Sequence, residues 1–236
     1  MEFAENKSME KPKYKDLLFD VDGTLLDFAA AEEHGLRQVF APFGDLMEPM
    51  TEAYQILNKQ LWEDFEKGLI TKEDITQTRF RRIFKKFGVD ADGVETEARY
   101  RQCLNRYAIL IDGALEVLDY LRPKYNLYVV TNGFVQTQKM RMKDSGLEPY
   151  FIRSFISEEI GCQKPGKEFF DYCMNHIEEA DRRKMLIIGD SLTSDMKGGE
   201  MAGIDTCWYN PQRKENLDQV KLTMEIEDLR QLMKKL

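Results

Sequence analysis

Histidine, tryptophan and paired cysteines are scarce in this sequence. Its 236 residues include 2 histidines, 2 tryptophans and 4 cysteines, and no two cysteines form a Cys-x-x-Cys pair. Zinc sites and disulfide frameworks need clustered ligands or regularly spaced cysteines, so neither is expected here. Scattered thiols are typical of proteins in a reducing compartment, and we therefore expect a cytoplasmic protein.

Long apolar runs and an excess of positive charge are also missing. No stretch approaches the roughly 18 apolar residues of a membrane-spanning helix, and the charged segment 1–12 lacks the apolar stretch of a secretory signal. A formal net charge of -8 disfavours binding to nucleic acids and to anionic membranes. A phosphorylated substrate would therefore need a local source of positive charge. The sequence does not indicate an oligomeric state.

The most informative stretch is residues 15–25, with the sequence KDLLFDVDGTL. Its apolar part, 17–19, predicts a buried strand. Asp20 and Asp22 follow, and their side chains point to the same side if the extended backbone continues. Gly23 then supplies a turn. Two crowded carboxylates stay ionised only if a cation or strong donors compensate their repulsion, although an ordinary acidic turn is the alternative.

Residues 27–107 carry apolar side chains at helical spacing and contain no convincing strand. Their pattern predicts about four helices, one of which starts with a capping box formed by Thr71 and Asp74. From residue 108 onward, strands alternate with helices, which predicts a parallel sheet covered on both faces. We therefore expect an α/β core formed by residues 1–26 and 108–236, with residues 27–107 inserted as a helical cap domain.

Polar residues stand at the ends of three predicted strands, in the segments Asp20–Asp22, Thr131–Gly133 and Gly189–Ser191. Ligands of parallel sheets bind outside the carboxyl ends of the strands. Taken singly, each segment also fits an ordinary turn between a strand and a helix. Lys164 alone fits a solvated surface lysine, and Asp195 alone fits an acid in the first turn of a helix. Three polar strand ends at one edge of a sheet predict a shared site.

In chain order, these residues resemble the four motifs of the haloacid dehalogenase superfamily of phosphotransferases. The matching segments are Asp20–Thr24, the strand-end Thr131, Lys164–Pro165, and Gly189–Asp190 with Asp195. The match spans essentially the whole predicted core, and the helical block fits the first type of cap in that superfamily. The resemblance implies an α/β fold with a doubly wound, mainly parallel, Rossmann-like sheet and an inserted cap.

The acidic residues suit phosphoryl transfer with Mg²⁺ as cofactor. Asp20 is the candidate nucleophile, which would form an aspartyl-phosphate that water then hydrolyses. Mg²⁺ prefers oxygen ligands, so Asp20 and Asp190 are candidate metal ligands. The resemblance implies that the backbone carbonyl of Asp22 is a further metal ligand and that Asp195 lies next to the direct ligands without being one of them. The side chain of Asp22 would then donate a proton to the departing alkoxide and later take one from water.

Thr131, Asn132 and Lys164 are the candidate phosphate-binding residues. Their hydroxyl, amide and ammonium donors would offset negative charge on the transferring phosphoryl group.

Asp22 also favours a phosphatase over a dehalogenase. A halide leaves without a proton, whereas an alkoxide needs one, and the relatives that break carbon–halogen bonds lack this second aspartate. The absence of a membrane span argues against an ion pump.

Part of the helical block resembles the cap of the noncanonical pyrimidine nucleotidases. The shared features are the Asn-Lys-x-Leu-Trp pattern at 58–62 and the Gly-x-Ile-Thr turn at 68–71. Segments 131–134 and 156–161 look like the same family.

This resemblance suggests how the cap selects a substrate. We expect Asn58 and Lys59 to reach the polar edge of a base or the sugar, and Trp62 to stack on the base. Tyr54 and Phe65 either stack as well or pack the interior of the cap.

We therefore expect a phosphomonoesterase that hydrolyses pyrimidine nucleoside 5'-monophosphates. Its expected partner is a small-molecule phosphate monoester, without nucleic acid or membrane. The alternatives are a phosphatase for another small metabolite, such as phosphoglycolate or a sugar phosphate, and a related phosphate-transferring mutase. A non-catalytic binding protein is disfavoured because no motif acid is missing.

Overall fold

Strands and helices alternate along most of the chain, and the strands form one parallel sheet. The computed structural model describes residues 13–217 and 219–236, so the charged segment 1–12 lies outside the described residues. The strands are β1 (Asp16–Phe19), β2 (Asn126–Thr131), β3 (Arg153–Ile156), β4 (Met185–Gly189), β5 (Asp205–Tyr209) and β6 (Met224–Ile226). Their order in the sheet is β3-β2-β1-β4-β5-β6, with every neighbouring pair parallel.

This order confirms the predicted doubly wound sheet and positions the site. The strands β2, β1 and β4, whose ends carry the predicted polar segments, are direct neighbours at the centre of the sheet. Their carboxyl ends therefore meet at one edge, where α/β sheets bind their ligands.

The edge strand β6 was not predicted from the sequence. Its residues Met224–Ile226 pair with β5. Met224, Glu225 and Ile226 do alternate between apolar and polar side chains, but a run of 3 residues is too short to predict a strand.

Helices cover the sheet and form a separate block between β1 and β2. They are α1 (Phe28–Phe40), α2 (Met47–Glu66), α3 (Lys72–Phe87), α4 (Gly93–Asn105), α5 (Ala114–Leu121), α6 (Val135–Asp144), α7 (Ser157–Ile160), α8 (Lys167–Asn175), α9 (Lys197–Ala202) and α10 (Leu232–Lys235). The capping box at the start of α3 is confirmed, with Thr71 and Asp74 exchanging hydrogen bonds. The division into cap and core at the predicted boundaries stays a prediction.

The central strands are buried on both faces, which explains their almost wholly apolar sequences. Every residue of β1 and β4 is buried. On one face, Leu17 and Phe19 pack with Leu118 of α5. On the other face, Leu18 packs in a cluster with Phe169 of α8. The sheet is therefore a rigid layer from which the site residues project.

The helical block α1–α4 has an aromatic interior of its own. Tyr54 is fully buried there, with its ring centroid 4.9 Å from that of Phe80 and 5.5 Å from that of Tyr100. Phe40 packs edge-on against Phe80 at 5.7 Å. Of the two roles open to Tyr54, packing inside the cap is the one that the structure shows.

A buried ion pair crosses this aromatic interior. Arg79 of α3 donates from Nε and Nη2 to the two carboxylate oxygens of Glu97 in α4, each at 2.7 Å. Its Nη1 donates to Asn58 Oδ1 at 2.9 Å, and Asn58 Nδ2 donates to Glu32 at 2.9 Å. Arg79 also lies over the ring of Tyr100. One polar chain thus joins α1, α2, α3 and α4.

Within the described part of the chain, no helix is both long and apolar enough to cross a membrane.

Replacing Glu97 with alanine should strongly destabilise the protein, because it leaves the buried Arg79 guanidinium without its carboxylate. We expect a loss of about 3–5 kcal/mol in the free energy of unfolding, measured by urea titration. Lys59→Ala is the matched control in the same block, because its exposed side chain meets Glu63 only at 4.0 Å and surface pairs contribute little. A change for Glu97→Ala as small as that for Lys59→Ala would contradict a structural role for this pair.

Candidate active site

A cavity of about 240 Å³ opens at the carboxyl ends of the three central strands. This size suits a small metabolite rather than a polymer. The core contributes Asp20, Asp22, Thr131, Asn132, Gly133, Phe134, Thr137, Gln138, Arg141, Lys164, Asp190, Ser191, Ser194 and Asp195 to its lining. The helical block contributes Phe28, Trp62, Glu66, Arg79 and Leu104. The predicted catalytic, metal and phosphate residues therefore share one cavity.

Lys164 ties two buried carboxylates together at this cavity. Its Nζ donates to Asp20 Oδ1 at 2.7 Å, to Asp195 Oδ1 at 2.6 Å and to the backbone carbonyl of Val130 at 2.8 Å. These three bonds use every hydrogen of the ammonium group. Burial alone would lower the pKa of Lys164, but the Asp195 and Asp20 carboxylates outweigh it and raise that pKa. Lys164 is therefore a fixed positive charge.

Asp20, Asp190 and Asp195 form an acidic cluster in which one oxygen of each lies within 4.8 Å of the others. Burial raises the pKa of Asp20 well above its usual range, although Lys164 acts in the opposite direction. Burial and the Asp195 carboxylate raise the pKa of Asp190 to about 7. Burial is the larger cause of both pKa shifts, and the neighbouring carboxylates, which one ammonium group does not balance, add to it.

The cluster fits a magnesium ion by its chemistry and by its shape. Carboxylate oxygens are the ligands that Mg²⁺ prefers, and a divalent cation would balance the remaining negative charge. The backbone makes room for Asp190, since a Cβ atom at Gly23 would lie 2.6 Å from Asp190 Oδ2. Trp208 Nε1 donates to the Asp190 carbonyl at 2.9 Å and fixes the loop. The roles of individual ligands, including the Asp22 carbonyl, stay predictions.

Asp195 lies within the acidic cluster itself. Its Oδ1 accepts from Lys164, and its Oδ2 accepts from the backbone N–H of Ser191 at 3.2 Å. A side chain on Gly189 would occupy the space of the Asp195 carboxylate. Both of its oxygens are thus engaged by the protein, which favours a role in holding Lys164 and the loop after β4.

Asp22 points its carboxylate to α6. Its Oδ1 forms an ion pair with Arg141 Nη1, and its Oδ2 accepts from Gln138 Nε2 at 2.6 Å. Strand β1 ends at Phe19, although the backbone N–H of Asp20 still donates to the Ile188 carbonyl at 2.9 Å. The side chains of Asp20 and Asp22 both line the cavity.

Thr131 presents a free hydroxyl proton to the cavity. Its Oγ1 accepts from the backbone N–H of Gly133 at 3.0 Å and from Gln138 Nε2 at 2.9 Å. Because both lone pairs are engaged, the O–H is left to donate to a ligand.

Asn132 instead acts on the backbone of Lys164. Its Nδ2 donates to the Lys164 carbonyl, and its Oδ1 accepts from the Lys164 N–H, both at 2.9 Å. The amide side chain of Asn132 therefore places Lys164, and its predicted direct contact with phosphate is not what the described contacts favour.

Aromatic side chains close the cavity on the side of the helical block. The ring of Trp62 stands edge-on to Phe134 at 5.9 Å and to Phe65 at 5.6 Å. Trp62 and Phe134 line the cavity, whereas Phe65 is buried behind them.

Hydrogen bonds join the helical block to the core around this opening. Thr193 donates to Glu66 at 2.7 Å, and Lys72 donates to the Gly133 carbonyl at 2.8 Å and to Ser157 at 2.9 Å. Burial lowers the pKa of Lys72 to about 8 and raises that of Glu66. The helical block therefore contacts the core directly beside the strand ends.

Two of the predicted specificity residues lie away from the cavity. Lys59 is 81% exposed and faces Glu63 on the outer surface of α2. Asn58 is buried, and its amide is occupied by Glu32 and Arg79. The four-residue step from Asn58 to Trp62 places them on one face of α2, but the packing of α2 turns Asn58 inward and Lys59 outward. Of the three, only Trp62 lines the cavity.

Several lining residues were not identified from the sequence as site residues, among them Glu66, Phe134, Gln138 and Arg141. Gln138 and Arg141 are three residues apart on α6, which starts directly after the Thr-Asn-Gly loop. This spacing on a helix that packs against the strand ends was the available signal.

A family model described as a haloacid dehalogenase-like hydrolase matches residues 14–203. The chain belongs to this family. It is an enzyme, and its relatives support a phosphatase of the 5'-nucleotidase kind. The hydrolase YfnB of Bacillus subtilis is 45% identical over 93% of this chain and 94% of its own.

Two further relatives are named pyrimidine 5'-nucleotidases. PynA of Streptococcus pneumoniae is 42% identical over 93% of this chain and 94% of its own length, and YjjG of Escherichia coli is 32% identical over 93% and 96%. The crystal structure of YfnB bound to magnesium superposes with a TM-score of 0.89 over 95% of this chain and 99% of that one. That hydrolase fold is therefore this chain's fold as well.

Magnesium binding should weaken in acid because protons compete for Asp190. Below a pKa of about 7 this carboxylate is protonated in the metal-free protein, and the ion must displace the proton. We expect the apparent affinity to fall at least about tenfold for each pH unit below that value, since the raised pKa of Asp20 adds a second competing proton. Calorimetric Mg²⁺ titrations across this range measure the effect.

Asp190→Asn is the control, since it should weaken binding at every pH and flatten this dependence. A wild-type Mg²⁺ affinity that stays constant between roughly pH 6 and pH 8 would show that protons do not compete with the metal at Asp190.

Proposed function

We propose that this enzyme is a Mg²⁺-dependent phosphomonoesterase that acts through an aspartyl-phosphate on Asp20. The observation that carries the proposal is the position of the Asp20 carboxylate. It lies buried at the cavity between Lys164, Asp190 and the Thr131 hydroxyl, where a phosphate would meet a nucleophile and donors together.

In the first step, a carboxylate oxygen of Asp20 attacks phosphorus. The bond from oxygen to phosphorus forms as the bond to the ester oxygen breaks, and the departing alkoxide takes a proton from Asp22. Thr131 donates its free hydroxyl proton to a phosphoryl oxygen. Lys164 holds Asp20 in place, and one of its three hydrogen bonds would be exchanged for a phosphoryl oxygen.

In the second step, water attacks the same phosphorus. Asp22 takes a proton from this water, the bond between Asp20 and phosphorus breaks, and inorganic phosphate leaves. Both carboxylates then return to their starting states.

Mg²⁺ held by Asp20 and Asp190, and by the Asp22 carbonyl as the resemblance implies, would neutralise phosphate charge in this site. Gly23 keeps the space that the Asp190 carboxylate needs, and Gly189 keeps that of the Asp195 carboxylate.

We propose pyrimidine nucleoside 5'-monophosphates as the substrates. Trp62 and Phe134 provide flat apolar surfaces beside the phosphate site, and the small cavity suits a single ring. The names of PynA and YjjG support the same assignment.

A cytoplasmic location belongs to the proposal too. Its support is that Cys103, Cys162, Cys173 and Cys207 are free thiols in the structure, as expected in a reducing compartment.

A panel of phosphate monoesters assayed for phosphate release with Mg²⁺ tests the proposed function. We expect pyrimidine nucleotides to show the highest kcat/KM, with purine nucleotides below them because the cavity is small. A higher kcat/KM for phosphoglycolate or a hexose phosphate would overturn the substrate assignment. Absence of phosphate release from the whole panel would overturn the phosphatase proposal.

Trp62→Ala should impair nucleotide hydrolysis more than hydrolysis of a minimal aryl phosphate. Loss of base stacking costs on the order of 1–3 kcal/mol, which is roughly a 5- to 150-fold drop in kcat/KM. Lys59→Ala is the matched control on the same helix and should leave both substrates unchanged. An equal loss on both substrates for Trp62→Ala would mean that this ring only packs the cap.

A further inference from the structure

Arg141 of α6 is a buried cation with a single polar partner. Its side chain is fully buried, and Nη1 pairs with Asp22 Oδ1. Among the described residues, its Nε and Nη2 atoms have no hydrogen-bond partner. Burying a guanidinium group is costly unless its donors are satisfied, and an apolar side chain of similar size is often at least as stable in such a position. The stability of the folded protein therefore does not explain why an arginine stands at this position.

The side chain of Gln138 also has few hydrogen-bond partners. It is buried, and its Nε2 donates both hydrogens, one to Asp22 Oδ2 and one to Thr131 Oγ1. Its Oε1 has no partner within the described part of the chain. A side chain at Gly133 would collide with this amide, so the glycine of the Thr-Asn-Gly loop leaves the space that Gln138 occupies.

Together these two side chains hold both oxygens of one carboxylate. Arg141 takes one oxygen of Asp22 and Gln138 the other, and both come from one face of α6. Since α6 follows directly on the loop that carries Thr131, the contact fixes Asp22 relative to the phosphate-binding hydroxyl. Asp22 itself sits in a loop beyond β1, where its side chain would otherwise select among rotamers.

We propose that Arg141 and Gln138 are positioning residues that orient Asp22 for proton transfer to and from the substrate. This inference rests on the proposed function, in which Asp22 supplies the proton for the leaving group. The residues act through Asp22 rather than on the reacting phosphorus. Gln138 additionally couples the orientation of Asp22 to that of Thr131.

A comparison of two leaving groups tests this role. An alkoxide needs the proton of Asp22, whereas nitrophenolate leaves without one. Arg141→Met should therefore slow release of nucleoside from a nucleotide by about 10- to 100-fold. The pre-steady-state burst of nitrophenol from nitrophenyl phosphate should change far less. Arg141→Lys, which keeps the charge, should recover part of the nucleotide rate.

A double-mutant cycle with Asp22→Asn separates positioning from a general structural effect. If Arg141 works through Asp22, adding Arg141→Met to Asp22→Asn should cause little further loss of nucleotide turnover. The melting temperature of Arg141→Met should change little, because Asp22 is 27% exposed and water can solvate its carboxylate once the guanidinium group is gone. Gln138→Met should show the same leaving-group signature with a smaller loss.

Lys139→Met is the matched control on α6, since its side chain is exposed and pairs with Glu159 away from the cavity. It should leave both substrates unchanged. Equal losses on the two substrates, or fully additive effects with Asp22→Asn, would overturn the positioning role while leaving the phosphatase proposal intact. Lack of phosphatase activity in the wild type would instead overturn the proposed function.

Discussion

The contact of the Lys164 ammonium group with Asp20 and Asp195 is the interaction on which the rest of this site depends. It brings a buried positive charge to the centre of a sheet edge that otherwise carries two buried carboxylates, Asp20 and Asp195, and the half-buried Asp190. One ammonium group is not enough for three carboxylates, and burial together with this deficit raises the pKa values of Asp20 and Asp190. The same deficit makes the cluster a suitable place for a divalent cation and, with it, a phosphate group.

The surrounding structure keeps this charge cluster rigid. Asn132 holds the backbone of Lys164 by two hydrogen bonds, and the backbone of Ser191 holds Asp195. Gly23 and Gly189 are required because a side chain at either position would displace a carboxylate of the cluster. The motif residues are therefore linked by packing as much as by chemistry, and α6 adds a second layer that orients Asp22.

Much of the fold and the core of the site could be predicted from the sequence, for a physical reason. Parallel strands are short apolar runs, and their carboxyl ends must meet at one edge, so the placement of Asp20, Thr131 and Asp190 followed from local patterns.

The orientation of side chains in the helical block was harder to predict. Which face of α2 meets the cavity depends on how the helix packs, and this rotation turned Asn58 towards Arg79 and Lys59 to the solvent. Gln138 and Arg141 were missed because their function depends on a contact with Asp22, more than a hundred positions away in the chain.

Direct detection of the covalent intermediate tests the central claim, that the phosphoryl group passes through Asp20. The protein would be mixed with substrate, quenched in acid within one turnover and digested, and the peptide containing Asp20 would be analysed by mass spectrometry. We expect a phosphoryl group on that peptide in the wild type. An Asp20→Asn variant should fold normally, be inactive and carry no phosphoryl group. Phosphate release by Asp20→Asn at a near-normal rate, or a phosphoryl group on another residue, would contradict it.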